Sequence, residues 1–433
     1  MSDATTRVFG ISWSPRRWGF TIYIVAAATA AIVVFVLFGK QSLIGLNRDP
    51  YGFGLMGRSI AEGNSFQGFG SLLHRRSPLY PIVVGGVYWV FGPNLRAMLV
   101  VHCLMFAGTA VLAYDLGRRL LNLRTGVIAA ALCILHPLLL RYTPHLHLET
   151  QLILLYTLLV WLLVRFRQQP TMLNAAWVGI VAGLNSLTKA VAVLLPLVFL
   201  IGWLVERRNR AKRGETVTAV PWLPFATVFV AMGLTIMPWT IRNYQVTGHF
   251  VPITSGTSDA FLRGFIFSET KYITLREPPY TGAENASNAY FNGLAADAGT
   301  VWERDDYESD QILNDEAKRR FKAEPLAVAR KTVIGVFTFW YQLTSLPSST
   351  LALATAAGAW ALALLAWRRA KRMQVATWQL FLPVLYLNAV LAPLLALGRY
   401  SAPVLPTLMI LAAFGIDGLL DRFAQARVAS STP

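Results

Sequence analysis

The chain has 433 residues, of which 55% are hydrophobic, with a mean hydropathy of +0.48 and a formal charge of +17. It is too apolar for an ordinary soluble globule, and its repeated apolar runs of about 17–25 residues are long enough to cross a bilayer as helices. The positive charge does not point to nucleic acid, because Lys and Arg cluster between the apolar runs, as they do in cytoplasmic loops. The two cysteines, Cys103 and Cys133, sit inside apolar runs and give neither a disulfide framework nor a zinc site.

Taken in order, basic residues Arg7, Arg16 and Arg17 precede an apolar run from Trp18 to Phe38. Its length and the lack of a nearby small-residue cleavage pattern predict an uncleaved anchor with the N-terminus inside. A polar stretch follows, containing Asn47-Arg48-Asp49-Pro50-Tyr51-Gly52-Phe53. Phe53, Met56 and Ile60 recur at helical spacing and Gly63 is a natural stop, so a short amphipathic helix is expected there. Asp before Pro is also the pattern of a helix N-cap with proline at the first helical position, and one carboxylate can serve both as cap and as base. Residues 78–92 are apolar but short and proline-punctuated, which predicts an interfacial helix rather than a crossing.

Nine further spans are expected at Leu95–Leu116, Val127–Leu140, Gln151–Val164, Ala175–Leu187, Val191–Val205, Val220–Ile241, Leu351–Trp367, Trp378–Leu397 and Ala402–Leu420. Ten spans place Arg118, Arg119 and Arg124, the run from Arg207 to Arg213, and the group from Arg368 to Arg372 on the cytoplasmic side. Both termini then lie inside, in agreement with the positive-inside rule. The same rule puts residues 331–346 at the outer interface. The long polar stretch 244–330, which holds most of the chain's 22 acidic residues, is then outside. Within it, Asp310 to Lys322 reads as a helix closed by Pro325, and Asn285-Ala286-Ser287 fits a glycan acceptor. The expected organisation is one integral membrane domain over 1–433, with a first outer loop at 40–94 and a large outer loop at 244–350.

This topology gathers ionisable groups at the outer face. They are Asp49 with Arg75 and Arg76, then His145, His147 and Glu149 at the mouth of the fourth span, and Lys189, Arg242 and Arg399 at the ends of later spans. Charges near membrane depth are costly and mark functional sites, although single Lys and Arg side chains also snorkel to headgroups. At i and i+4 on a helix, His145 and Glu149 would face each other, which leaves a bound divalent ion open as a cofactor.

The ordered motifs resemble those of the bacterial relatives of the protein O-mannosyltransferases and aminoarabinose transferases, which are polyprenyl-phosphate-sugar-dependent glycosyltransferases of GT-C fold. The matching elements are Asp49 with Tyr51, Arg76-Ser77-Pro78-Leu79-Tyr80-Pro81, and Leu148-Glu149-Thr150. Later come Gly183-Leu184-Asn185-Ser186-Leu187-Thr188-Lys189, Pro238-Trp239-Thr240-Ile241-Arg242-Asn243-Tyr244 and Arg399-Tyr400-Ser401-Ala402-Pro403. Two features depart from the family pattern. The first acid is followed by proline instead of a second acid, and the chain resembles a minimal core with no appended soluble domain.

The resemblance implies an all-α, GT-C-like polytopic enzyme that transfers a sugar with inversion from a polyprenyl-phosphate donor to an extracytoplasmic protein, glycan or lipid. It implies Asp49 as general base and Glu149 as an assisting acid. Arg75 or Arg76, Lys189, Arg242 and Arg399 would hold the donor phosphate, with Tyr51, Tyr80, His145, His147, Asn243 and Tyr400 in support. The chemistry agrees, because a sugar on a lipid phosphate already carries its leaving group, so one base and several cations suffice. A multispan transporter or lipid flippase is the alternative, but it should show related halves with helices broken at midplane.

Overall fold

The computed structural model describes residues 6–37, 48–64, 66, 76–217, 219–274, 279–302 and 307–431. It opens with a hairpin that the sequence reading missed, β1 (Thr6–Val8) paired antiparallel with β2 (Ile11–Trp13). The turn between them is made by Phe9 and Gly10, both at positive φ. Helix α1 (Pro15–Ala31) is capped by Ser14, whose hydroxyl accepts from the Arg17 amide, and runs on as a π-helical stretch to Leu37. Helices α2 (Arg48–Ala61) and α3 (Leu79–Phe91) pack on each other. Phe53 and Met56 of the predicted apolar face are buried there against Tyr80, Val84 and Tyr88.

The bundle continues with α4 (Leu95–Leu120), α5 (Leu123–Leu135) and α6 (Pro137–Arg141). The single span expected at 127–140 is therefore two helices. Pro137 pushes His136 into an extended conformation and removes a backbone donor, which ends α5. Then follow α7 (Glu149–Gln168), α8 (Met172–Thr188), α9 (Leu195–Lys212) and α10 (Trp222–Thr247). α8 and α10 cross at backbone contact, since a Cβ on Gly179 would fall 2.2 Å from the Val228 carbonyl oxygen.

The large polar stretch is helical as well, with α11 (Thr257–Phe267), α12 (Thr270–Ile273), α13 (Pro279–Asp297), α14 (Tyr307–Ala323) and α15 (Pro325–Tyr341). Within the glycan-acceptor tripeptide, Asn285 is exposed while Ser287 is not. Ser287 lies inside α13, fully buried, with its hydroxyl donating to the Ala283 carbonyl. The chain closes with α16 (Leu346–Met373), α17 (Trp378–Leu391), a 3-10 segment Gly398–Val404 and α18 (Leu405–Ser431).

Each predicted span overlaps a helix, the one at 127–140 being divided at His136. Among the described residues, six helical segments are long and apolar enough to cross a membrane: Pro15–Leu37, α4, α7, α10, α16 and Gly398–Arg427. α3, α5, α8 and α17 are shorter apolar helices, and α9 carries charges through its last turns. The protein is an all-α polytopic membrane protein. Several of the arginines that follow apolar runs also make structural ion pairs. Arg124 and Arg369 both bind Asp417 and Asp421, with Arg369 at 2.8 and 2.7 Å, which locks α5, α16 and α18 together. Arg118 and Arg119 bind Asp115, which also accepts from the Trp161 indole at 2.8 Å.

Candidate active site

A cavity of about 320 Å³ opens at one end of the bundle, where α2, α7, α8, α11 and the segment between α17 and α18 meet. Six of the side chains singled out from sequence line it: Arg76, His147, Glu149, Lys189, Arg399 and Tyr400.

Local structure accounts for each position. Glu149 is the first residue of α7, where the helix dipole favours a carboxylate. Lys189 caps the C-terminus of α8, its amide donating to the Asn185 carbonyl at 2.9 Å, and a cation is favoured there for the same reason. Arg399 and Tyr400 sit in the 3-10 segment, which is pinned by the Gly398 amide on the Gln342 carbonyl at 2.7 Å.

Tyr400 gathers the cations. The Lys189 ammonium lies 3.2 Å from its ring centroid, and the Arg399 guanidinium donates to its hydroxyl at 3.0 Å. The face and the oxygen of one aromatic ring thus hold two positive groups that would otherwise repel. Arg76 reaches the cavity over the ring of Phe53, at 5.4 Å from its centroid.

Facing these cations is a carboxylate that is only 4% exposed. One oxygen of Glu149 lies 3.5 Å from His147 Nδ1 and has no hydrogen-bond partner among the described residues. A buried carboxylate oxygen without a donor is costly unless a ligand supplies one. Behind it, the Gln151 amide donates to the Thr188 hydroxyl at 2.9 Å and ties α7 to α8.

The remaining candidates are placed by their helices or by their own contacts. Asp49 falls inside α2, one residue after its first residue Arg48, rather than at an N-cap, and stands one turn before the cavity residue Phe53. Tyr51 is in the same turn, and Arg75 lies outside the described residues. Arg242 is not among the lining residues. It stacks over Trp239 at 4.7 Å and donates to Asn243 at 3.2 Å. Asn243 is fully buried and donates to the carbonyls of Val251 and Ile253, fastening the chain where it returns from α10.

Tyr80 is also fully buried. Its hydroxyl meets His102 Nε2 at 3.1 Å, and His102 Nδ1 meets the Thr143 carbonyl at 3.1 Å. A carbonyl only accepts, so Nδ1 carries the proton and Nε2 accepts from Tyr80. His102 was passed over in the sequence, where its one signal is a lone histidine inside an apolar helix. Thr254, Gly256 and Thr257 also line the cavity and were missed, because nothing local marks them within the long outer stretch.

The expected i, i+4 facing of His145 and Glu149 does not form, because α7 begins only at Glu149 and both histidines lie in the turn before it. His147 approaches the carboxylate instead. Burial and the neighbouring His147 and Arg141 push His145 down to about 4, so it is neutral at physiological pH. Among the described residues, no three His, Cys, Asp or Glu side chains stand together as candidate metal ligands.

A larger groove, about 1600 Å³, lies between α9, α16 and α17 toward the opposite end of the bundle. Its walls are mostly apolar, and at its mouth Arg210 and Arg213 both pair with Glu215. It lacks the juxtaposition of buried carboxylate and converging cations.

Residues 75–239 match the family model described as dolichyl-phosphate-mannose-protein mannosyltransferase. No protein of curated function matches the chain. Among solved structures, the chain is similar to the archaeal oligosaccharyltransferase AglB from Archaeoglobus fulgidus, in complex with an inhibitory peptide and a dolichol-phosphate. The TM-score is 0.59 and the identity 14%, over 98% of this chain and 52% of that one. The apo oligosaccharyltransferase from Archaeoglobus fulgidus gives a TM-score of 0.58 and 15% identity, over 96% of this chain and 52% of that one. ArnT from Cupriavidus metallidurans, bound to undecaprenyl phosphate, gives 0.43 and 15%, over 92% and 77%. The chain thus spans about half the length of the oligosaccharyltransferases it matches. The likeness shows the fold, which is the GT-C-like membrane fold expected from the motif order.

Proposed function

We propose that this protein is a membrane glycosyltransferase that moves a sugar, with inversion, from a polyprenyl-phosphate donor to an extracytoplasmic protein, glycan or lipid. The observation that carries this reading is a cavity in which cations from three separate chain segments face a buried carboxylate. The shared fold with a structure holding dolichol-phosphate and the family match over 75–239 support it.

The chemistry follows from the residues. An acceptor hydroxyl loses its proton to Asp49, which the fold carries in the first turn of the helix that brings Phe53 to the cavity. The acceptor oxygen attacks the sugar C1 from the face opposite the phosphate. The bond from C1 to the phosphate oxygen breaks, and its electron pair leaves with the polyprenyl phosphate. Lys189, Arg399 and Arg76 stabilise that anion, Lys as a point charge and Arg through paired donors, while Arg242 braces the neighbouring loop. The unpaired oxygen of Glu149 accepts from a hydroxyl of the acceptor or sugar and orients it. In the bilayer, both termini face the cytoplasm and the cavity opens outward.

The test is to reconstitute the purified protein in nanodiscs with a panel of polyprenyl-phosphate sugars and candidate acceptors. Mass spectrometry should find a glycosylated product together with released polyprenyl phosphate. Intact donors throughout, with well-folded protein, would refute the proposal.

A further inference from the structure

Two walls of the cavity come from segments far apart in sequence. One is the start of α11, with Gly256, Thr257 and Ala260, and the other is the turn after α17, with Leu394, Leu395 and Arg399. Behind both lies Lys331 of α15, only 3% exposed. Its ammonium donates to the Phe261 carbonyl and to the Pro393 carbonyl, each at 2.7 Å, so it takes one acceptor from each wall. The same nitrogen lies 3.6 Å from the Phe261 ring centroid and 4.5 Å from that of Phe265.

The surrounding backbones approach one another closely. A Cβ on Gly264 would sit 2.1 Å from the Leu394 carbonyl oxygen, and one on Gly335 would sit 2.2 Å from that of Ala392. Asn388 adds a second tie, donating to the Val336 carbonyl at 3.0 Å. The Pro393 carbonyl stands just past the C-terminal end of α17, where the helix dipole favours a cation.

We infer that Lys331 is a positioning residue whose charge sets the spacing between the α11 wall and the Leu394–Arg399 wall, and so the width of the cavity. Its bearing on catalysis rests on the transfer reading given above, whereas the spacing itself does not.

The charge of this pin responds to pH. Burial first, and then the nearby Arg320, push Lys331 down to about 7. The charged groups around it are few. From α14 comes Arg320, paired with Glu316. On α11, Arg263 is engaged by Asp259 and Asn288. On its own helix, Arg330 is exposed. The turn after α17 presents carbonyls, and Arg399 is turned to Tyr400 on the cavity side. Below neutrality the ammonium has three donors and the attraction of two rings and a helix end. Above it the neutral amine keeps two weaker donors and loses those attractions. The pin is therefore tight in mild acid and slack in mild alkali.

The test needs no substrate. Spin labels on cysteines at Thr257 and Leu394, in a background with Cys103 and Cys133 replaced by Ser, report the separation of the walls in nanodiscs. The distance distribution should be narrow at pH 6 and should broaden by pH 8.5, with a midpoint near 7. Lys331→Arg, which stays charged, should hold it narrow throughout, and Lys331→Met should leave it broad at both ends. A distribution that does not change with pH in the parent protein, or a transition that survives in Lys331→Met, overturns the inference. Donor turnover measured separately shows whether the transfer reading has failed instead.

Discussion

Replacing Lys189 by Met removes the cation that lies closest to the Tyr400 ring while keeping the length of the side chain. The fold should survive, because the anchor of this residue on α8 is its backbone amide on the Asn185 carbonyl. Loss of the contact with the ring costs about 0.5–1 kcal/mol of local stability. The effect on donor binding should be larger. A hydrogen bond between charged groups is worth about 1.5–3 kcal/mol, and the half-buried ammonium lies in a cavity open to solvent, so about 2 kcal/mol is reasonable. That corresponds to about a 30-fold rise in Kd for polyprenyl phosphate. The assay is titration of labelled polyprenyl phosphate into nanodisc-embedded protein at fixed ionic strength. Arg242→Met is the internal control. Its guanidinium is stacked on Trp239 outside the lining, so its effect should be clearly smaller. A Kd for Lys189→Met within about threefold of the parent would refute the placement of the phosphate beside Tyr400.

Asp49→Asn keeps the shape of the side chain but removes a base, so transfer should fall by about 100-fold or more with donor Kd retained. Near-normal turnover would pass the role to Glu149. Asp417→Asn removes the carboxylate that is 1% exposed between Arg124 and Arg369, while Asp421, 42% exposed, still neutralises both. With that partial rescue it should cost about 2 kcal/mol, seen as earlier thermal unfolding, and an unchanged midpoint would mean that the network contributes nothing. A cysteine at the exposed Asn285 should react with an impermeant maleimide from outside, and one at the exposed Asn209 should be protected. The reverse pattern would invert the topology and turn the cavity toward the cytoplasm.

Much of the architecture is local information, and the sequence by itself determined it. Apolar length specifies the apolar helices, and the alternation of basic and acidic stretches along the chain gives an expected sidedness, whereas the break at Pro137 came only with the structure, since Pro238 and Pro383 sit inside unbroken helices. Phe53, Met56 and Ile60 announced a helical face because a 3.6-residue period is a property of the helix alone. The ordered motifs also picked out Arg76, Glu149, Lys189 and Arg399, which are separated by up to hundreds of residues yet line one cavity.

Only the tertiary structure decided how these groups meet. That Lys189 and Arg399 share one tyrosine ring depends on where α8 ends relative to the 3-10 segment. His147 rather than His145 approaches Glu149 because of where α7 begins. Tyr80, Asn243 and Arg242 carry polar groups as suitable as those of the cavity, but packing turned them to His102, to the Val251 and Ile253 carbonyls and to Trp239. Lys331 gave no signal, since a lysine in an amphipathic helix reads as a snorkelling surface charge. Its two acceptors lie 70 and 62 residues away in sequence, and only the close approach of three backbones, permitted by Gly264 and Gly335, brings them within reach of one ammonium.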